Sequence, residues 1–118
     1  MAVRRIVAYA GGKEIAASRD FYVEVLGMRV VMEDPVLDLQ SADDPAAEVI
    51  IGAQEMQEPQ PSFGIDVGEA ATVDAVYAEA VKRGLRVVYP LTDEPWGVRR
   101  FFVEDPGGTI VNVLAHIG

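Results

Sequence analysis

Residues 21–31 read FYVEVLGMRVV, and residues 76–88 read VYAEAVKRGLRVV. Tyr22 answers Tyr77, Glu24 answers Glu79, Gly27 answers Gly84, and Arg29-Val30-Val31 answers Arg86-Val87-Val88, with two extra residues before the glycine in the second copy. The separation is too long for a solenoid repeat and suits two supersecondary modules; chance similarity between two amphipathic helices is the competing account. Each copy predicts a helix leading directly into a strand. In the second, Val73, Val76, Tyr77, Ala80 and Val81 fall on one helical face. Thr72 is the expected N-cap, because its hydroxyl can accept from a free N–H of the first turn. Glu69 and Asp74 stand near the positive end of the dipole, and Lys82 and Arg83 near the negative end. Gly84 supplies the left-handed residue that ends many helices. In the first copy Ile15, Tyr22, Val25 and Leu26 form the expected stripe, with Ser18 and Phe21 near it and Gly27 as the stop.

Working outward, strands are expected at Arg5–Ala10, Met28–Met32, Val36–Gln40 and Glu48–Ala53, and again at Ser62–Val67, Arg86–Tyr89, Arg99–Glu104 and Thr109–Ala115. The prolines nearly all fall between these segments, where no ladder donor is required. Glu55–Pro61, EMQEPQP, is polar and aperiodic and reads as the linker between halves. The expectation is an α+β fold: one domain over 1–118, made of two tandem β-α-β-β-β modules, about 1–58 and about 59–118. Paired, their curved sheets would line a common cleft. Asn112 interrupts the apolar run TIVNVLA at 109–115. A buried amide needs partners, so Asn112 either bonds to neighbouring backbone or faces a cavity.

Composition removes whole classes of chemistry. The 118 residues are 50% hydrophobic and 25% charged, ordinary for a folded domain. With no cysteine there is no disulfide, thiolate nucleophile or iron–sulfur ligand, and the one histidine, His116, cannot make a histidine-rich metal centre within one subunit. Ten Lys and Arg against nineteen Asp and Glu leave a net charge of −9. Such a surface repels phosphate backbones and anionic lipid and attracts small cations, so neither nucleic acid nor membrane is an expected partner. Arg4-Arg5 followed by Ile6–Ala10 starts like a signal peptide, but the apolar stretch ends at Gly11, short of the roughly 7–15 residues of an h-region. No run approaches the roughly 20 residues of a membrane span. The expected location is cytoplasmic. No Ser-His-Asp arrangement or phosphate-binding glycine loop is present; Gly11-Gly12 and Gly107-Gly108 are turn pairs.

Three features carry a resemblance. SRDFYVEVLGMRVV at 18–31 has the order serine, FY, LG; EPWGVRRFFVEDPGGTIVNVL at 94–114 has a WG…DPGG ending; and the β-α-β-β-β order is duplicated. Together they resemble the vicinal oxygen chelate superfamily, which includes glyoxalases, extradiol dioxygenases and bleomycin-resistance proteins. The resemblance implies the glyoxalase/bleomycin resistance fold and a homodimer. In the enzymes of that family it implies a divalent metal held by side chains from four strands. Carried onto this chain, those positions fall at Val7, near Glu48, near Ser62 and at Asn112. Valine cannot coordinate, and serine and asparagine are weak neutral donors, whereas a catalytic site needs about three good protein ligands. The expectation is therefore no metal, no cofactor and no catalytic residue, with His116 a solvated or dimer-edge histidine.

What remains is a cleft of the kind in which bleomycin-resistance relatives hold cationic, planar drugs. Trp96, the sole tryptophan, either stacks on such a ligand or plugs the core or a dimer seam. Alternation puts Tyr9 on the face of Val7 and Phe102 on the face of Arg100. Arg100 would offer a charged donor to an anionic or carbonyl-bearing ligand, while Arg99 points to solvent. Glu48 and Asn112 would form the polar floor. The resulting expectation is a metal-independent protein that binds, in this cleft, a planar or partly aromatic small molecule such as a drug or natural product. The alternatives are a metal-dependent lyase, isomerase or dioxygenase with an atypical site, and a structural or regulatory homodimer without a ligand.

Overall fold

A computed structural model describes residues 3–12, 14–34, 36–53 and 60–117. The first half runs β1 (Arg5–Gly12), α1 (Ile15–Asp20), β2 (Arg29–Met32), β3 (Leu37–Gln40) and β4 (Ala47–Ala53). The second runs β5 (Phe63–Asp66), α2 (Ala70–Lys82), β6 (Val87–Glu94), β7 (Val98–Glu104) and β8 (Ile110–His116). All eight strands form one sheet in the order β2-β3-β4-β1-β5-β8-β7-β6. Outward from its centre, each half therefore has the same order: first, fourth, third and second strand. β1 pairs in parallel with β4, β5 in parallel with β8, and β1 and β5 join the halves antiparallel. This is the duplicated α+β architecture expected from the repeat. Most of the expected linker, residues 55–59, lies outside the described residues.

The helices cover one face of the sheet. Val73 and Ala80 of α2 pack with Phe101, Val111, Val113 and Ala115, and Tyr77 meets Phe101 edge-on at 5.1 Å. In the first half Leu37, Leu39 and Ile51 pack with Ile15, Tyr22 and Val23. Because strand side chains alternate, the residues between these core positions project to the opposite, concave face.

Several local expectations change. α2 begins at Ala70, and Thr72 lies within it rather than capping it. Glu69 is the N-cap, extended at φ −140°, and its carbonyl accepts from the backbone N–H groups of Thr72 and Val73. Gly68, at φ +90°, turns the chain into the helix early, and Ala70 and Ala71 are strong helix formers. Val81, expected on the packed face, is exposed.

The first helix does not continue as an α-helix to Gly27. After Asp20 it widens into a π-helical segment, Phe21–Val25, with the Leu26 N–H donating to the Phe21 carbonyl. The wider turn brings Tyr22 and Val23 to the core and leaves Val25 and Leu26, expected to be buried, 69% and 57% exposed. Gly27 and Gly84, at φ +73° and +71°, stop the helical segments as expected. β6 extends five residues beyond its expected end and contains Pro90. This is tolerated because β6 is an edge strand and its pairing with β7 shifts register between Tyr89 and Thr92.

Candidate functional site

The concave face encloses a cleft of about 1030 Å³, lined by both halves of one chain. Its centre is set by strand register. Glu48 on β4 pairs with Val7 on β1, Val7 with Gly64 on β5, Gly64 with Asn112 on β8, and Asn112 with Phe102 on β7. One transverse row thus crosses the middle of the sheet. Gly64, rather than the neighbouring Ser62, holds the β5 place in it, and Ser62 is exposed.

The middle of this row is filled by a tyrosine from the adjacent strand position. A Cβ built on Gly64 would meet the Tyr9 hydroxyl at 2.6 Å. That hydroxyl accepts a hydrogen bond from Asn112 Nδ2 at 2.7 Å. Burial pushes the Tyr9 phenol up, with the Asn112 hydrogen bond opposing it.

To one side lies a buried ionic cluster. Arg5 Nε donates to Asp66 Oδ2 at 2.7 Å, Nη1 to Glu48 Oε1, and Nη2 contacts His116 Nε2 at 2.8 Å. Glu48 and Asp66 are both buried, so one guanidinium bridges two carboxylates that water hardly reaches. Asp38 on β3, paired with Ile50 two residues along β4 from Glu48, completes the group beside that carboxylate. Its carboxyl is pushed up to about 8 by burial and by the adjacent Glu48 carboxylate. Asp38 therefore carries its proton at neutral pH.

The other side is aromatic. Arg100 lies with its guanidinium carbon 4.9 Å from the ring centre of Phe102 and 5.2 Å from those of Tyr89 and Trp96. Its Nε donates to Glu94 Oε2 at 2.7 Å, and the Tyr89 hydroxyl donates to the same oxygen at 2.8 Å. Arg100 is thus neutralised by Glu94 and sandwiched among rings; its charge is already engaged within the chain. Trp96 stands in the three-residue turn between β6 and β7, where Gly97 adopts φ +86°, and is half exposed. It plugs no core of this chain. Arg99, expected in solvent, is paired on the helix-bearing side with Asp93 and with Asp74 of α2.

All six residues singled out in the sequence, Tyr9, Glu48, Trp96, Arg100, Phe102 and Asn112, line this cleft. Sequence reasoning missed Arg5, Asp38 and Tyr89. The alternation Leu37-Asp38-Leu39 was the available signal for Asp38, since it sets an acid opposite two core leucines. No comparable signal existed for Arg5, whose partners Glu48 and Asp66 are 43 and 61 positions away. His116, though exposed, also lines the cleft through its contact with Arg5.

The metal that the resemblance implies does not fit these residues. Val7 offers hydrocarbon, Gly64 offers no side chain, and the space beside it holds the Tyr9 hydroxyl. Glu48, the one carboxylate of the row, is held by Arg5. No group of three or more His, Cys, Asp or Glu able to hold a metal occurs among the described residues.

Known structures share the architecture. The chain is similar to an extradiol ring-cleaving dioxygenase from B. fuscum, with TM-score 0.76 and 22% identity over 98% of this chain and 33% of that one. It is similar also to methylmalonyl-CoA epimerase from Mycobacterium tuberculosis, with TM-score 0.75 and 17% identity over 98% and 90% of the two chains. A third is a glyoxalase/bleomycin resistance protein/dioxygenase superfamily member from Vibrio splendidus 12B01, with TM-score 0.65 and 16% identity over 94% and 97%. Likeness at such identities shows a shared fold. No curated protein sequence matches the chain. The family description Glyoxalase/Bleomycin resistance protein/Dioxygenase superfamily matches residues 6–113. With the duplicated module, the cleft and that match over nearly its whole length, the chain belongs to the glyoxalase/bleomycin resistance protein/dioxygenase superfamily.

Proposed function

We propose that the protein binds a planar, partly aromatic small molecule in the cleft without a metal, sequestering a drug or natural product rather than transforming it. The observation that carries this reading is the central row Glu48–Val7–Gly64–Asn112, in which two of four places have no donor and Tyr9 occupies the gap. An aromatic wall of Tyr89, Trp96 and Phe102 beside a polar floor is the kind of lining that holds a flat ligand and fixes its orientation. The cleft's about 1030 Å³ suits a molecule of drug size. The exposed apolar residues Ile6, Val25 and Leu26 support self-association into a homodimer.

Titration calorimetry of the purified protein against planar aromatic compounds, together with elemental analysis after chelator-free purification, tests the reading. Saturable micromolar binding by metal-free protein is the expected result. Stoichiometric transition metal, with activity dependent on it, would replace sequestration by an enzyme of this superfamily with an unusual site.

A further inference from the structure

Two oxygens on the cleft floor find no hydrogen-bond partner among the described residues: Asp38 Oδ1 and Asn112 Oδ1. Their residues are 9% and 2% exposed, and both line the cleft, from opposite halves of the chain. A buried polar atom without a partner is costly, and such atoms are few in folded proteins. Here both are acceptors. The Asn112 amide spends its N–H on Tyr9 and keeps its carbonyl. Asp38, beside Glu48 on the floor, likewise presents Oδ1 without a partner. Arg5, the neighbouring cation, is committed elsewhere, to Asp66, Glu48 and His116.

We propose that the cleft selects flat molecules carrying N–H donors, which Asp38 and Asn112 receive through these two oxygens while the ring lies against Tyr89, Trp96 and Phe102. The inference rests on the planar-ligand reading above and adds the chemistry of the ligand's polar edge. Rotation about the terminal side-chain torsion, which is broad for Asp and Asn, brings each oxygen to a bound N–H. A carboxylate or other anion would meet two acceptors and the Glu48 carboxylate, so anions are rejected. The net charge of −9 favours a cationic ligand at long range, but the two oxygens discriminate by donors rather than by charge alone.

The test compares three tricyclic probes by calorimetry: 9-aminoacridine, a cation with N–H donors; N-methylacridinium, a cation without them; and neutral acridine. 9-Aminoacridine is expected to bind about tenfold more tightly than N-methylacridinium, the worth of one good hydrogen bond. That preference is expected to shrink in Asp38→Leu and in Asn112→Leu, to disappear when both are replaced, and to survive in Asp38→Asn. Asn keeps both the group facing Glu48 and the free carbonyl. Thermal melts identify any variant that fails to fold, and Asp38→Asn, with donor and acceptor retained, supplies the comparison in that case. Equal affinity for the two cations would overturn the inference while leaving the planar-ligand reading intact, since water would then serve the two oxygens. Binding of none of the three would overturn both.

Discussion

Tyr9 and Gly64 are complementary: the tyrosine hydroxyl lies 2.6 Å from the point where a Cβ on residue 64 would be, so only glycine fits beneath it. Leu114 Cδ2, at 3.0 Å from the same point, closes the other side. The two strands carrying these residues also join the halves of the sheet, which makes the pair a packing lock at the seam.

The lock predicts non-additive energetics. Gly64→Ala forces the Tyr9 ring aside and is expected to cost about 1–3 kcal/mol through overpacking. Tyr9→Phe removes the acceptor of Asn112 and is expected to cost about 1–3 kcal/mol by leaving that amide unpaired. In the double variant the tightest contact, with the hydroxyl, is gone, while those with Leu114 Cδ2 at 3.0 Å and the ring Cε2 at 3.2 Å remain, so its loss should fall short of the sum by about 1 kcal/mol. Urea unfolding of the four proteins measures the coupling; strict additivity would show that the tyrosine yields freely.

What the sequence made legible were the features that local chemistry determines. DPGG is one: Asp105 Oδ1 accepts from the backbone N–H groups of Gly107 and Thr109, and Gly108 takes φ +92°. The glycine stops and strand alternation are others, and alternation brought Tyr9, Arg100 and Phe102 to the cleft. The start of α2 was misjudged because Glu69 caps through its backbone carbonyl, which any residue could do. The ionic cluster was illegible for a different reason. Arg5, Asp38, Glu48 and Asp66 come from four strands, and only the pairing of β1 with both β4 and β5, and of β4 with β3, gathers them. Glu48 therefore read as an isolated ligand type, although Arg5 already engages it.

Removing Arg5 should be severe. Arg5→Met leaves the buried Glu48 and Asp66 carboxylates without their cation, and breaking a buried pair in this way typically costs about 3–5 kcal/mol. Arg5→Lys is expected to recover only part of this, because one ammonium cannot reproduce the planar fork that reaches Asp66, Glu48 and His116 together. Chemical denaturation at pH 7 ranks the three proteins; a lysine variant as stable as the parent would show that charge, rather than fork geometry, holds the cluster.

Trp96 should separate binding from stability. It is half exposed on a turn and touches Arg100 through its ring face, so Trp96→Ala should cost about 1 kcal/mol or less of stability. Loss of its stacking surface should weaken binding of 9-aminoacridine by about 0.5–1.5 kcal/mol. As the only tryptophan, it also reports directly: a ligand on the aromatic wall should change its fluorescence in proportion to the calorimetric saturation. Saturable binding with unchanged tryptophan emission would move the ligand away from this wall.

Asp38 sets the sign of a pH dependence. Its carboxyl titrates near 8 in the folded protein against an ordinary value of 3.8, so across that interval the folded state keeps a proton that the unfolded chain has lost. Stability linked to Asp38 is therefore fully present below about pH 4 and falls as pH rises towards 8, by up to about 1.4 kcal/mol per unit. Above pH 8 both states are ionised and this contribution is flat. Asp38→Asn abolishes the titration while keeping a polar group beside Glu48. The variant should thus gain on the parent steadily from pH 5 to pH 8 and hold a constant advantage beyond. Urea unfolding of both proteins at unit intervals isolates the effect, since every other titrating group cancels in the difference. A difference that stays constant from pH 5 to pH 8 would mean that Asp38 ionises like a solvent-facing carboxyl and that the Glu48 contact does not hold its proton.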